Sequence, residues 1–292
     1  MHRNMIVDLN NIIFTTRFAK VKTPSGRQRK EQYVTELIFK EAITAIVNKA
    51  LELKADAIVV ARDSPNVWRK DIHPDYKGNR EHNDVYYQET IDAAELCTDF
   101  FKTCTNVAVV EAPRAEADDV IAVFCQESEG VENVILSSDK DFVQLLDERT
   151  QLFSPPQNVF RESEDVAYDL FLKCVRGDTN DNIKSAFPRV RETRLRKAWD
   201  DELEMVNLLE TVRKDNQKVG DVLEFNRKLI CLDSQPEDIR TSILNAIQSA
   251  RGNRFGELRI MRYFAEHNLK DHADILAYKE RPLKGHFVFK AK

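Results

Sequence analysis

Short apolar runs that end in a carboxylate recur along the first half of the chain. Residues 4–10, NMIVDLN, place Met5, Ile6 and Val7 ahead of Asp8. Residues 57–63, AIVVARD, repeat the plan and end at Asp63. VAVVE (107–111) and NVILSSDKD (133–141) are a third and fourth run, and QLFS (151–154) is a shorter fifth. Continuous apolar runs of this length, bounded by polar residues, predict strands covered on both faces. Between them the spacing changes to the helical period. Residues 31–53 set Val34, Leu37, Ile38, Ala42, Ile46, Val47 and Leu51 at helical intervals. Further helices are predicted at about 84–103, from Glu116 onward, and at about 164–176.

Strands alternating with helices predict an α/β fold with a mostly parallel central sheet and flanking helices. Past residue 180 the strand runs stop. Four helices are predicted near 192–213, 221–232, 236–250 and 255–268, ahead of a basic tail. The expected organisation is an α/β domain over 1–180, with a basic segment at about 64–103, and a helical domain over 181–292.

Composition narrows the class. The 292 residues are 42% hydrophobic and 32% charged, as in a soluble globular protein with a sizeable core. No run reaches the ~18 apolar residues of a membrane span. The opening MHRNMIVDLNN lacks an apolar stretch of signal length, so a cytoplasmic protein is expected. Five cysteines, odd in number and without a C-x-x-C, predict reduced core thiols rather than structural zinc or a disulfide framework. The histidines form no H-E-x-x-H cluster. Nothing in the sequence asks for more than a monomer.

The carboxylates change the picture. In an open α/β sheet, ligands bind beyond the carboxyl ends of the strands. Asp8, Asp63 and Asp139 each follow a predicted strand, and Glu116, Asp118 and Asp119 follow the third across a short loop. Asp141 lies two residues past Asp139, and GDTNDN adds Asp178 and Asp181. The positive end of a helix accounts for one or two of Glu116, Asp118 and Asp119. Three packed acids repel one another unless a cation offsets them. Oxygen-only ligation without His or Cys suits Mg²⁺ or Mn²⁺. So many acids suggest two ions about 4 Å apart, an arrangement suited to phosphodiester cleavage.

Net charge is −5, which at first speaks against a nucleic-acid partner. Setting the nine acids aside leaves 44 basic residues against 40 of the 49 acids, a mildly basic remainder. The basic density is local, in WRKDIHPDYKGNR (68–80) and RVRETRLRK (189–197). Arg69, Lys70, Arg191, Arg194, Arg196 and Lys197 are therefore expected to meet nucleic acid. The alternative is a solvated helix face whose cations pair with Glu192, Asp200 and Asp201.

IVDLN, HPDYKGNR, EADDVIA, SSDKDFVQLL and GDTNDNI occur in the order and at about the spacing of the 5′-nuclease superfamily, which the chain resembles over roughly residues 4–270. That superfamily includes flap endonucleases and the 5′–3′ exonuclease domains of bacterial polymerases. EFNRKLICLD (224–233) is similar to text in the replicative ribonucleases H of T-even bacteriophages. The resemblance implies a PIN/5′-nuclease-like fold and a Mg²⁺-dependent enzyme with two ions, Mn²⁺ substituting. It also implies removal of RNA primers and 5′ flaps during DNA replication, on flap, nicked, primer–template or RNA–DNA hybrid substrates, and a host-cytoplasmic setting if phage-encoded.

By the same resemblance Asp8, Asp63, Asp118 and Asp139 would serve the first ion. Asp141, Asp178 and Asp181 would serve the second, with Glu116 and Asp119 in support. Lys77 and Arg80 match basic residues at the foot of the family's helical arch, where they would stabilise charge developing on the phosphate. Phe14 matches an aromatic that stacks on a base, the alternative being a core Phe. One departure stands out. Relatives follow the GDxxDNI text with a glycine-rich helix–hairpin–helix that grips duplex phosphates through backbone amides and a monovalent ion. Here no glycine occurs between Gly177 and Gly220, so basic side chains are expected to take over that contact. A PIN-type ribonuclease, a Toprim-type catalytic domain and a non-catalytic branched-DNA scaffold are the competing readings. The tail KERPLKGHFVFKAK is expected either to dock a sliding clamp or single-strand-binding protein, or to remain a solvated basic end.

Overall fold

The computed structural model of the chain describes residues 1–20, 34–80, 86–267 and 280–290. The start of the helix expected over 31–53, residues 81–85 of the basic segment, residue 268 of the last expected helix and the tail residues 279, 291 and 292 lie outside the described residues.

Six strands form one sheet in the order β3-β2-β1-β4-β5-β6. β1 (Arg3–Asp8) lies at its centre, between β2 (Ala57–Ala61) and β4 (Glu132–Leu136), and is parallel to both. β3 (Ala108–Val110) extends one side and β5 (Thr150–Ser154) the other, both parallel to their neighbours. β6 (Val159–Arg161) closes the β5 edge antiparallel, and no apolar run announced it. The chain moves outward from β1 through β2 to β3, then returns to the far side of β1 for β4. The strand order thus reverses between β1 and β4, where doubly wound sheets open a crevice.

Strand side chains alternate between two apolar layers, as the two-residue period requires. Met5, Val7, Ile58, Val60, Val134 and Leu136 pack under α1 (Leu9–Lys20), α2 (Val34–Glu52), α4 (Tyr87–Cys104) and α11 (Glu257–Glu266). Ile6, Val59, Ala61 and Ile135 face α5 (Ala117–Glu127) and α10 (Glu237–Ser249). α1 begins directly after Asp8 and was not anticipated. On α2 the buried stripe runs through Val34, Ile38, Ala42, Ile46 and Ala50, with Phe39, Ile43 and Val47 beside it. Leu51, expected on that stripe, is exposed because the helix turns it away in its last turn.

The helix expected over 192–213 is two helices, α7 (Glu192–Asp200) and α8 (Glu202–Leu209). Asp201 breaks them: its carboxylate accepts the N–H groups of Leu203 and Glu204 at 2.9 and 3.1 Å, capping a new helix in place of continuing the old one. α6 (Val166–Arg176), α7 and α8 share a smaller apolar cluster centred on Val175 and Leu195. α9 (Val219–Ile230) joins α6.

α10, α11 and α12 (Glu280–Lys284) contribute to the two sheet layers. Leu283 is fully buried. Gly285 passes so close to β2 that a Cβ there would stand 1.7 Å from the Asp56 carbonyl oxygen. Val288 then exchanges hydrogen bonds with the Asn4 side chain, and Phe287 and Phe289 lie 5.8 and 5.2 Å from the Phe124 ring. Residues 283–289 of the tail are thus packed on the domain. The five cysteines are buried and unpaired. Among the described residues no helix is long and apolar enough to cross a membrane.

Candidate active site

β1 delivers Asp8 to the reversal point, buried in the sheet end. Its carboxylate accepts the Asn11 N–H at 3.1 Å and the Ser137 hydroxyl at 3.0 Å, so the first turn of α1 and the end of β4 both hold it. Asp63, two residues beyond β2, accepts the Ala117 N–H at 2.7 Å and the Asn10 amide at 2.5 Å. Asp139 caps the 3₁₀ turn Lys140–Leu145 by accepting the Asp141 N–H at 2.8 Å. Asn11 also accepts both the N–H and the hydroxyl of Ser138 at 2.9 Å. Asn10, Asn11 and Ser137 were not singled out from the sequence; their signal was a polar neighbour beside each strand-end acid.

The acids divide into two electrostatic groups. Burial, followed by the charge of Asp63, pushes Asp8 up to about 7. Burial and then Asp8 carry Asp118 well above the ordinary carboxylate range, and burial raises Asp139 even though Lys173 and Lys77 oppose it. In these three, burial and neighbouring acids outweigh the nearby cations. The second group carries its own cations. Burial works against Glu116, yet Lys77 and Arg69 outweigh it and hold the carboxyl below its usual range. Asp178 is likewise lowered against burial, by Lys173. The Lys173 ammonium bridges Asp141 and Asp178, the latter at 3.0 Å. Arg80 pairs with Asp181 at 2.7 Å. Lys173, on the last turn of α6, was missed; the sequence offers it beside Arg176 with nothing to tell the two apart.

Residues 76–80 join Glu116 to Asp181. The Tyr76 hydroxyl lies 3.1 Å from Glu116 and 3.2 Å from Asp181, the Lys77 ammonium pairs with Glu116, and the Lys77 N–H donates to the Asp181 carbonyl at 3.1 Å. Lys77 adopts the left-handed backbone at φ 56°, a strained conformation that these contacts fix. The GDTNDN turn is closed by a two-way bridge between Asp178 and Ile183. Gly177 is required there, at φ 72° and with a Cβ position 2.5 Å from the Ile183 carbonyl.

One expectation is corrected. Arg69 does not face nucleic acid: its side chain is 2% exposed, and its guanidinium binds both Asp119 oxygens and Glu116, each at 2.8 Å. Its Nε donates to the Leu229 carbonyl at 2.8 Å, tying α9 to the site. Asp119, expected in support of the second ion, is fully buried. Beyond Arg69 it accepts the Trp68 indole N–H and the Glu116 N–H, each at 3.0 Å, and shares a capping box with Glu116 at the start of α5.

Lys70 is exposed, and Phe14 is half-buried on α1. Arg191, Arg194, Arg196 and Lys197 are exposed on and beside α7. Arg196 pairs with Asp200 at 3.0 Å and Lys197 with Glu204 at 2.5 Å. Glu192 is taken by Arg176. Among the described residues neither Arg191 nor Arg194 pairs with a carboxylate, and Arg194 lies over the Phe187 ring at 4.9 Å.

The donor set is all oxygen, which fits a hard divalent cation, and Asp8, Asp118 and Asp139 require positive charge. Among the described residues no three carboxylates stand close enough together to enclose an ion by themselves. Mg²⁺ tolerates that, since it keeps several waters and uses only one or two carboxylates directly.

Residues 3–171 match the family described as "5′-3′ exonuclease, N-terminal resolvase-like domain". The chain belongs to that family. The match takes in seven of the nine strand-end acids, with Asp178 and Asp181 just beyond it. This exonuclease-family chain is 27% identical over 228 residues to the thermostable DNA polymerase I of Thermus filiformis. That alignment takes 73% of this chain and 26% of the polymerase, so the chain spans about a quarter of that relative's length. The flap endonuclease D15 of bacteriophage T5, solved with DNA and metal ions, shares its fold at a TM-score of 0.59 and 20% identity, over 96% of this chain and 100% of that one. Human GEN1, solved with Holliday junction DNA, aligns at a TM-score of 0.51 and 12% identity, over 94% of this chain and 71% of that one. Both likenesses include the helical C-terminal region. The kinship to T-even ribonucleases H rests on the text of residues 224–233 alone.

Proposed function

We propose that this exonuclease-family chain is a Mg²⁺-dependent 5′–3′ exonuclease and flap endonuclease. It hydrolyses phosphodiesters at the 5′ end of RNA or DNA on a duplex template, removing primers and flaps in replication. One observation carries the reading: three carboxylates short of positive charge stand at the point where the strand order reverses. Asp8, Asp63, Asp118 and Asp139 would serve the first ion, directly or through its waters, and Asp141, Asp178 and Asp181 the second, with Mn²⁺ able to replace Mg²⁺. When bound, such ions activate the attacking water and stabilise the leaving oxygen.

The chain's own groups do the rest. Lys77 and Arg80 bring two positive charges to the same edge and donate to the phosphate oxygens where charge develops. Glu116, fixed by Arg69, holds Lys77 in that place. Phe14 offers a half-buried ring to a base near the cut, and Arg191 and Arg194 hold the duplex.

Incubating the protein with a 5′-labelled flap or primer–template and Mg²⁺ tests this. Release of short 5′ products, abolished by excess EDTA and by Asp139→Asn with duplex affinity kept, is expected. Binding of branched DNA without any cleavage would make the chain a scaffold and sink the enzymatic reading.

A further inference from the structure

The loop from Lys184 to Val190 links the GDTNDN turn to α7, and its carbonyls are arranged unusually. Three consecutive ones, at Lys184, Ser185 and Ala186, all turn toward side-chain donors from elsewhere in the chain. The buried Asn226 amide donates to Lys184 at 2.8 Å. Arg213 Nη1 donates to Ser185 at 3.2 Å and to Ala186 at 3.3 Å. The N–H groups of Ala186 and Phe187 meanwhile point to the Val175 carbonyl at the end of α6. The Ser185 and Ala186 carbonyls thus form a seat around one nitrogen, and the Lys184 carbonyl is held separately by Asn226.

Clustered carbonyl oxygens are the ligands that replace the hydration shell of an alkali cation. In this chain the seat is filled from within. Arg213 comes from a short turn closed by the Val212–Lys218 bridge, and its N–H is anchored to the Gln217 carbonyl at 2.8 Å. Asp215 pairs with its other terminal nitrogen at 3.0 Å, and the side chain is 14% exposed. One nitrogen shared between two carbonyls makes two long hydrogen bonds, so the guanidinium acts there chiefly as a fixed positive charge.

We infer that Arg213 is a tethered monovalent cation that sets the loop, and through it the start of α7. Directly after the seat the chain presents Arg189 at φ 61°, Arg191 at the N-cap and Arg194, on a helix start with no side-chain cap. Arg213 is accordingly a positioning residue for duplex contact, a role that rests on the proposed nucleic-acid function. Bridging the carbonyls from inside makes that contact independent of which salt is present.

The test compares wild type, Arg213→Met and Arg213→Lys in K⁺ and in tetramethylammonium at equal ionic strength, the latter ion being too large for a carbonyl seat. Wild type should show the same thermal midpoint and the same affinity for nicked duplex in both salts. Arg213→Met should bind about tenfold more weakly in tetramethylammonium, the scale of a lost charge-assisted hydrogen bond. K⁺ or millimolar methylguanidinium should restore both its affinity and its midpoint. Cleavage at saturating substrate should stay within about twofold, since a general weakening of the fold would lower affinity and turnover together. Arg213→Lys, which keeps the charge, should ignore the choice of salt. A salt-indifferent Arg213→Met protein, or an Arg213→Lys protein as salt-dependent as it, would overturn the inference. The midpoints need no nucleic acid, so a wild type that binds no duplex would defeat the proposed function and leave the seat itself to be judged by the salt response.

Discussion

Arg69 grips both carboxylate oxygens of Asp119, at 2.8 Å each, where the two side chains are 2% and 0% exposed. The same guanidinium reaches Glu116, so the two acids expected in support of the metal site are held by a third side chain that was expected to meet nucleic acid. Removing one partner of a buried pair leaves an uncompensated charge, at a cost of about 3–5 kcal/mol. Arg69→Met should lower the urea midpoint by that scale, and Asp119→Asn should do nearly as much. The double variant should be less destabilised than the sum of the singles, because neither charge is then left alone. Additive losses, or a change confined to the salt dependence of DNA binding, would return Arg69 to the surface.

Asp118 stands among acids that repel it, and its carboxyl is raised by burial and by Asp8. Asp118→Asn should therefore raise the thermal midpoint of protein stripped of divalent ions, while cleavage falls by orders of magnitude. Mg²⁺ should raise the wild-type midpoint more than that of the variant, because ligand binding stabilises the folded state in proportion to its affinity. Equal responses to Mg²⁺ in the two proteins would remove Asp118 from the metal site.

Lys173 already supplies positive charge to Asp141 and Asp178. A second ion must share those carboxylates with it. Lys173→Met should bind Mg²⁺ more tightly at that site, seen as a lower Mg²⁺ concentration for half the midpoint shift, and should be less stable when ion-free. Weaker Mg²⁺ binding in the variant would mean that the lysine supports the ion rather than competing with it.

Lys77 and Arg80 carry distinct expectations from the docking arginines. Lys77→Ala and Arg80→Ala should each slow single-turnover cleavage by about 10²-fold, the scale of one lost transition-state donor. A change in affinity alone would make either residue a docking contact.

The structure separates the four cations around α7. Among the described residues Arg191 and Arg194 pair with no carboxylate, whereas Arg196 and Lys197 are paired with Asp200 and Glu204. On B-DNA each phosphate contact contributes about −0.9 to the slope of log affinity against log salt. Neutralising Arg191 and Arg194 together should flatten the slope by up to about two units, and neutralising Arg196 and Lys197 by much less. An equal effect from both pairs would show that the acids release their partners on binding.

The sequence alone determined the alternation of strand and helix, the carboxylates at strand ends and the family motifs, because each of these is local. An apolar run with a terminal Asp specifies a buried strand and its acid whatever the rest of the chain does. Local pattern also hid some elements. α1 follows Asp8 without a break, β6 is too short and exposed to show a period, and Asp201 splits one helical stretch by capping. Pairing across the chain was decided only by the tertiary structure. Nothing near Arg69 in the sequence says that Asp119, 50 residues away, will face it. Nor does anything near Lys173 or Arg213 name the carboxylates and carbonyls that they reach. A surface cation and a buried counter-ion read alike in one dimension, since what separates them is the burial that only packing creates.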